Sequence, residues 1–161
     1  MIIIVMGVSG SGKTTIGTQL ADALHWDFVD ADQFHSAANI EKMRRGVPLT
    51  EEDRRPWLSA LRSEIAEWLK RDRPVVLACS ALKAWYRDEL LLDPSRMRIV
   101  YLKGSYDVIE KRLLGRHGHF MSRELLASQF AALEEPDDAL IVDAARRPSD
   151  LVQEIRKGLH L

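Results

Sequence analysis

Apolar residues gather along this chain in two rhythms. Short stretches with strand-like lengths recur at Ile2 to Met6, Asp27 to Asp30, Val75 to Cys79, Arg98 to Lys103 and Ala139 to Val142. The unbroken apolar character of Ile2–Met6 and Val75–Cys79 suits parallel strands covered on both faces. Between them the apolar positions fall at helical spacing. Ile16, Leu20, Ala23 and Leu24 mark one helix over Lys13 to Leu24, and Ile40 and Met43 share one side of a helix over Ala37 to Arg45 that Gly46 stops. Thr50 and Asp53 resemble a capping box. Because Pro56 lacks an N–H and its ring clashes one turn back, the first turn is expected to end near Arg55, with Pro56 opening a long helix that carries Trp57, Leu58, Leu61, Ile65, Trp68 and Leu69. Further helices are expected from Ser80 to Leu91 or Leu92, Tyr106 to Leu114, Arg123 to Leu133 and Ser149 to Leu159. Five short strands alternating with helices give an α/β architecture of three layers around a mainly parallel sheet.

The first strand runs into Gly7-Val8-Ser9-Gly10-Ser11-Gly12-Lys13-Thr14, the pattern G-x-x-x-x-G-K-[ST] between a strand and a helix. In that context it is a phosphate-binding loop. Backbone N–H groups of Gly7, Ser9, Gly10, Ser11 and Gly12 curl around an anion, and the positive end of the next helix meets it there. Lys13 is expected to reach the β- and γ-phosphates. Thr14 places a hydroxyl where Mg²⁺ is held, with Thr15 as a neighbouring hydroxyl. A dinucleotide loop fits worse, since Thr15 stands where its third glycine is needed. The motif fixes a nucleoside triphosphate as donor and leaves the phosphate acceptor open.

Length and charge narrow that opening. The 161 residues, 46% hydrophobic, suffice for one core, so a single domain over residues 1–161 is expected. A formal charge of −1 supplies no basic field for nucleic acid, which favours small-molecule chemistry. Cys79 is the only cysteine, which excludes an internal disulfide and is read as a buried strand residue in a reducing compartment. No run has the length of a membrane span, and the opening segment lacks a signal-peptide pattern, so a cytoplasmic location is expected.

Candidate acceptor chemistry lies in four places. Asp30 and Asp32 follow the second strand, and both point the same way if the extended backbone continues. One reading makes them a water-mediated Mg²⁺ holder and a base for the acceptor hydroxyl, with Asp32 preferred as base because it lies farther beyond the strand; the other makes them caps of the next helix. Arg54 and Arg55 precede Pro56, and either could grip a carboxylate with a two-pronged hydrogen bond. Lys83 and Arg87 set two cations one turn apart after Ser80, either around an anionic or polyhydroxylated acceptor or on a solvated helix face. Arg112, Arg116 and His119 surround the hinge glycines Gly115 and Gly118, as in a lid over phosphates. His117 and His119 do not form a metal site by spacing. Base contacts are expected from the lid and Ala144 to Pro148.

These segments together resemble the P-loop gluconokinases, which phosphorylate D-gluconate and are relatives of shikimate and nucleoside monophosphate kinases. The resemblance rests on Met6 to Thr15, Asp30-Ala31-Asp32 with His35, Asn39, Lys42 and Met43, and Gly46-Val47-Pro48-Leu49 followed by Asp53 to Leu58. It continues in Cys79 to Lys83 with Tyr86-Arg87-Asp88, in Gly118 to Met121, and in Ser128-Gln129-Phe130 with Leu133-Glu134. Ala31, Phe34 and Ser36 stand where that family more often has Gly, Leu and Pro. The resemblance implies a P-loop kinase fold with a mobile lid and transfer from ATP, with Mg²⁺, to D-gluconate. It implies catalytic roles for Lys13, Asp32 and Arg116, nucleotide contacts from Arg112 and Arg116, and a metal shell of Thr14 and Asp30. The acceptor candidates are Asp32, His35, Arg54, Ser80, Lys83, Arg87 and His119. Similar proteins often form homodimers. Two other readings are a kinase for another small acceptor, such as shikimate or a nucleotide, and a nucleotide-dependent regulatory switch. The Asp pair, the cations and the lid favour a second small substrate over a switch.

Overall fold

The computed structural model describes residues 1–115 and 123–161. Five parallel strands, β1 (Ile2–Met6), β2 (Asp27–Asp30), β3 (Val75–Ala78), β4 (Met97–Lys103) and β5 (Leu140–Asp143), form one sheet in the order β2-β3-β1-β4-β5. β1 lies at the centre, with Ile4 level with Leu77 of β3 and Ile99 of β4. The helices are α1 (Lys13–Leu24), α2 (Ala37–Arg44), α3 (Glu51–Lys70), α4 (Ala84–Leu90), α5 (Tyr106–Leu114), α6 (Arg123–Ala132) and α7 (Pro148–Leu159).

The unbroken apolar run of β1 exists because its two faces meet different layers. Ile2, Ile4 and Met6 enter a core with Leu61, Ile65 and Trp68 of α3, whereas Ile3 and Val5 pack with Ile16 and Leu20 of α1 and Leu151 and Ile155 of α7. Each such side chain taken fully out of water contributes roughly 1.5–3 kcal/mol, so the centre of the sheet is the most firmly held part of the molecule. A third cluster of Val8, Leu82, Ile109, Leu113 and Leu126 seats α5 and α6 beside the loops that follow β1 and β3. Parallel strands deliver all their following loops to one sheet edge, where ligands of open α/β sheets bind.

Three local expectations need correction. Pro56 does not open a helix; it sits inside α3, which starts after Thr50 with a reciprocal capping box to Asp53. The helix survives because Pro56 is solvent-exposed, so the carbonyl left without an N–H partner can meet water, while Trp57 and Leu58 beside it are buried. The segment from Ser80 to Lys83 is a loop, and α4 starts only at Ala84. Ala81 adopts φ +47°, a left-handed conformation that a helix cannot contain. In α2, Ile40 is 48% exposed and the buried residue is Asn39, because the helix is anchored by a polar contact rather than an apolar stripe.

Candidate active site

The loop between β1 and α1 folds as an anion cradle. Gly10 and Gly12 have φ of 81° and 102°, and a Cβ on Gly7 would stand 2.6 Å from Ser11 Oγ and 3.0 Å from the carbonyl of Leu102. No side chain caps α1 and no acidic residue occupies its first turn, so its first N–H groups keep their capacity for an anion. The Ser11 hydroxyl is buried without a hydrogen-bond partner inside this loop. Lys13 Nζ donates to the carbonyl of Val8 at 3.0 Å, folding its ammonium over the cradle. A cavity of about 370 Å³ opens on one side, lined by Gly10, Ser11, Gly12, Thr15, Arg112 and Arg146 together with Ala144 and Pro148. Arg112 fastens its wall by donating to the carbonyls of Ser11 and Ala144. Ala144, Arg146 and Pro148, from the segment expected to contact the base, thus share this cavity with the phosphate loop.

A second cavity, of about 390 Å³, opens on the other side of the same loop and includes Ser9. Its walls bring together Asp32, His35, Arg54, Ser80 and Lys83. β2 delivers Asp32 through a single 3-10 turn over Ala31–Phe34, whose first N–H groups need a cap: Asp30 accepts the N–H of Asp32 at 2.9 Å. The backbone thus does not stay extended, the two carboxylates do not act as a parallel pair, and Asp30 serves as a cap, one of the two readings of its position. Asp32 remains open to cleft water yet has protein on most sides. That burial raises its carboxyl pKa above the ordinary value, Asp30 raises it further, and Lys13 opposes the shift.

Arg54 is presented by α3 and donates to the Tyr86 hydroxyl at 3.1 Å, with its guanidinium 5.8 Å from the centre of that ring. Arg55 is exposed and is not part of the cavity lining. His35 stacks on Trp57 with ring centres 4.7 Å apart and planes 10° apart. Trp57 in turn donates from Nε1 to the carbonyl of Ala31 at 2.7 Å, which ties the turn carrying Asp32 to α3. Asn39 donates one amide hydrogen to the carbonyl of Asp53 at 2.7 Å and lies 3.3 Å from His35 Nδ1 with the same nitrogen. An amide N–H facing Nδ1 makes that atom the acceptor and leaves the proton on Nε2. Burial, then the nearby Arg54 charge, push the His35 pKa down to about 4, so the ring is a neutral donor at physiological pH.

A family model described as an AAA domain matches residues 2–136. A probable gluconokinase of Mus musculus is 48% identical over 152 residues, 84% of this chain and 83% of that protein. The thermoresistant gluconokinase of Escherichia coli K12 is 44% identical over 146 residues, 88% of this chain and 83% of its own length. The crystal structure of a gluconokinase from Sinorhizobium meliloti 1021 superposes with a TM-score of 0.87 at 43% identity, covering 98% of this chain and 90% of that one. This chain belongs to the gluconokinase family.

Within this gluconokinase-family site, one expected acceptor residue lies elsewhere. Arg87 is buried beneath the Ser80–Lys83 loop and donates to the carbonyls of Ala81 at 2.8 Å and Leu82 at 3.2 Å, outside the lining of the acceptor cavity. The cause is the late start of α4: carbonyls in a left-handed loop lack helical partners, and Arg87 supplies the donors. Arg116 and His119 lie outside the described residues. Cys79 is buried, and burial above all pushes its thiol up to about 12, so it is not a nucleophile. Among the described residues no group of three or more His, Cys, Asp or Glu side chains could hold a metal alone. Sequence reasoning assigned no site role to Asn39, Trp57, Tyr86 or Gln129. In α6 the available signal was a polar residue, Gln129, beside the buried apolar positions Leu125 and Leu126, whereas the spacing of α2 carried no such signal for Asn39.

Proposed function

We propose that this protein transfers the γ-phosphoryl group of ATP to D-gluconate, giving 6-phospho-D-gluconate and ADP. The observation that carries the reading is the phosphate loop standing as a partition between two cavities, one of them holding a carboxylate, Asp32, together with the cations Arg54 and Lys83. A sugar acid needs that combination: a cation for its carboxylate, polar groups for its hydroxyls, and a carboxylate for the attacking hydroxyl. Asp32, with its raised pKa, is in its ionised form a better proton acceptor than an ordinary aspartate. Its place across the loop from the nucleotide cavity suits direct in-line transfer. Lys13 offsets negative charge gathering on the transferred group. Arg54 is the residue for the gluconate carboxylate, and His35 Nε2–H and Ser80 offer hydrogen bonds to hydroxyls.

Mg²⁺, bound with ATP, supplies further neutralisation of phosphate charge. The hydroxyl of Thr14 and the second carboxylate oxygen of Asp30, not the one that caps the Asp32 turn, are hard oxygens that would suit that ion, and one or two protein oxygens are enough when phosphates and water complete the shell. The single free cysteine and the mixed surface charge support a cytoplasmic setting.

The test is ADP release measured with D-gluconate, shikimate, a nucleoside monophosphate and no acceptor. The proposed function requires release that depends on gluconate and disappears in Lys13→Ala. Release independent of any acceptor would instead indicate a nucleotide switch.

A further inference from the structure

Gln129, on the inner face of α6, makes a two-point contact with Ser9 of the phosphate loop, 120 residues away. Its Oε1 accepts the Ser9 backbone N–H at 2.7 Å and its Nε2 donates to the Ser9 hydroxyl at 3.2 Å. Ser9 is the point where the loop changes allegiance: Gly10, Ser11 and Gly12 line the nucleotide cavity, whereas Ser9 and Gln129 both line the acceptor cavity.

The same helix grips the acceptor side. Just beyond the end of α6, Glu134 donates its backbone N–H to the carbonyl of Leu82 at 2.8 Å and accepts the Ala84 N–H on its carboxylate at 3.2 Å. About one turn before Gln129, Leu126 packs in one buried cluster with Val8 of the phosphate loop and Leu82 of the acceptor loop. α6 is thus a bracket that spans both walls, and Gln129 is a polar contact between it and the phosphate loop's backbone.

We propose that Gln129 is a positioning residue for phosphoryl transfer, holding the Ser9 segment of the phosphate loop in register with the acceptor wall through its carboxamide. The inference rests on the kinase reading above. A loop free to shift by about 1 Å relative to the acceptor can cost on the order of 10²-fold in rate without weakening either ligand. The role therefore differs from nucleotide binding and from acceptor binding, and it belongs to hydrogen bonds rather than to bulk.

The experiment uses the full chain carrying Gln129→Met, which keeps the length and packing but removes both hydrogen bonds, beside Gln129→Ala. Turnover at saturating ATP and gluconate, both KM values, and ADP formed per phosphorylated product are measured. The expected result is a fall in kcat of about ten- to hundredfold in both variants, KM for ATP within about threefold of wild type, and a larger share of ADP formed without product. Gln129→Met turning over like wild type would overturn the proposal, since shape alone would then suffice. A defect confined to either KM would also overturn it, as would loss of folded circular dichroism in both variants. Wild-type enzyme assayed alongside separates the two readings: no gluconate product from wild type defeats the proposed function, whereas a fully active Gln129→Met enzyme defeats this one.

Discussion

Arg54→Lys isolates the recognition of the acceptor carboxylate. In the structure the Arg54 guanidinium lines the acceptor cavity, one of its nitrogens is held by the Tyr86 hydroxyl at 3.1 Å, and the remaining donors of the planar fork stay available. Lysine keeps the charge but is a compact ammonium without the fork, so one of two parallel bonds to a carboxylate is lost together with the Tyr86 hold. A charge-assisted hydrogen bond contributes about 1.5–3 kcal/mol, which corresponds to roughly ten- to hundredfold in kcat/KM. The cavity is open to water, so the lower end of that range is expected. Steady-state kinetics with gluconate varied at saturating ATP, and then ATP varied at saturating gluconate, should place the loss in KM for gluconate and leave KM for ATP nearly unchanged. Arg55→Lys is the control, because Arg55 is exposed and lies outside the cavity lining. A wild-type KM for gluconate in Arg54→Lys would refute the reasoning, and Lys83 would become the carboxylate partner to test. An equal defect in Arg55→Lys would show that charge near the cavity mouth, not the fork, is what gluconate senses.

Asp32→Asn should abolish most of kcat yet raise the melting temperature at neutral pH, because a carboxyl whose pKa is raised by folding is destabilising once ionised and the amide carries no such cost; an unchanged or lowered melting temperature would contradict the crowding seen around Asp32. His35 is held near pKa 4, below its ordinary 6.5, so the unfolded chain binds more protons between those values and stability should fall as pH drops from 6.5 toward 4. Chemical denaturation of wild type and His35→Gln at pH 5 and pH 8 checks this, with a smaller difference between the two pH values expected in the variant. Pro56→Ala restores a helical N–H at an exposed position inside α3, and a gain of about 1 kcal/mol, or ~2–4 °C in Tm, is expected by thermal melting, the helical gain being partly offset by a more flexible unfolded chain.

The fold was legible because its signals are local and redundant. Strands buried on both faces must be continuously apolar, as Ile2–Met6 and Val75–Ala78 are, and the loop from Gly7 to Thr14 is written in residues that few other structures require. The three misreadings share one cause, tertiary structure outweighing local preference. Burial of Trp57 and Leu58 carries α3 straight through Pro56, and a left-handed Ala81 has no marker in its side chain. Asn39 faces inward because a carbonyl of α3 awaits it, which spacing alone does not reveal. The site was legible in part for the same reason. Lys13, Asp32, His35, Arg54, Ser80 and Lys83 stand on segments with their own motifs, and the fold brings the last five to one cavity. Arg87 carried the same chemical label as Lys83, but a buried loop claimed its donors. The Gln129–Ser9 contact joins two distant segments, so only folding places them together.

The most direct test of the account follows the label. Wild-type protein is given ATP carrying a labelled γ-phosphoryl group together with Mg²⁺ and D-gluconate, and the products are separated and identified by mass. The account predicts that the label appears on the terminal hydroxyl of gluconate, one equivalent for each ADP, and that little inorganic phosphate forms while gluconate is present. Label released as inorganic phosphate at a rate indifferent to gluconate, or carried by another acceptor while gluconate is left untouched, would contradict it.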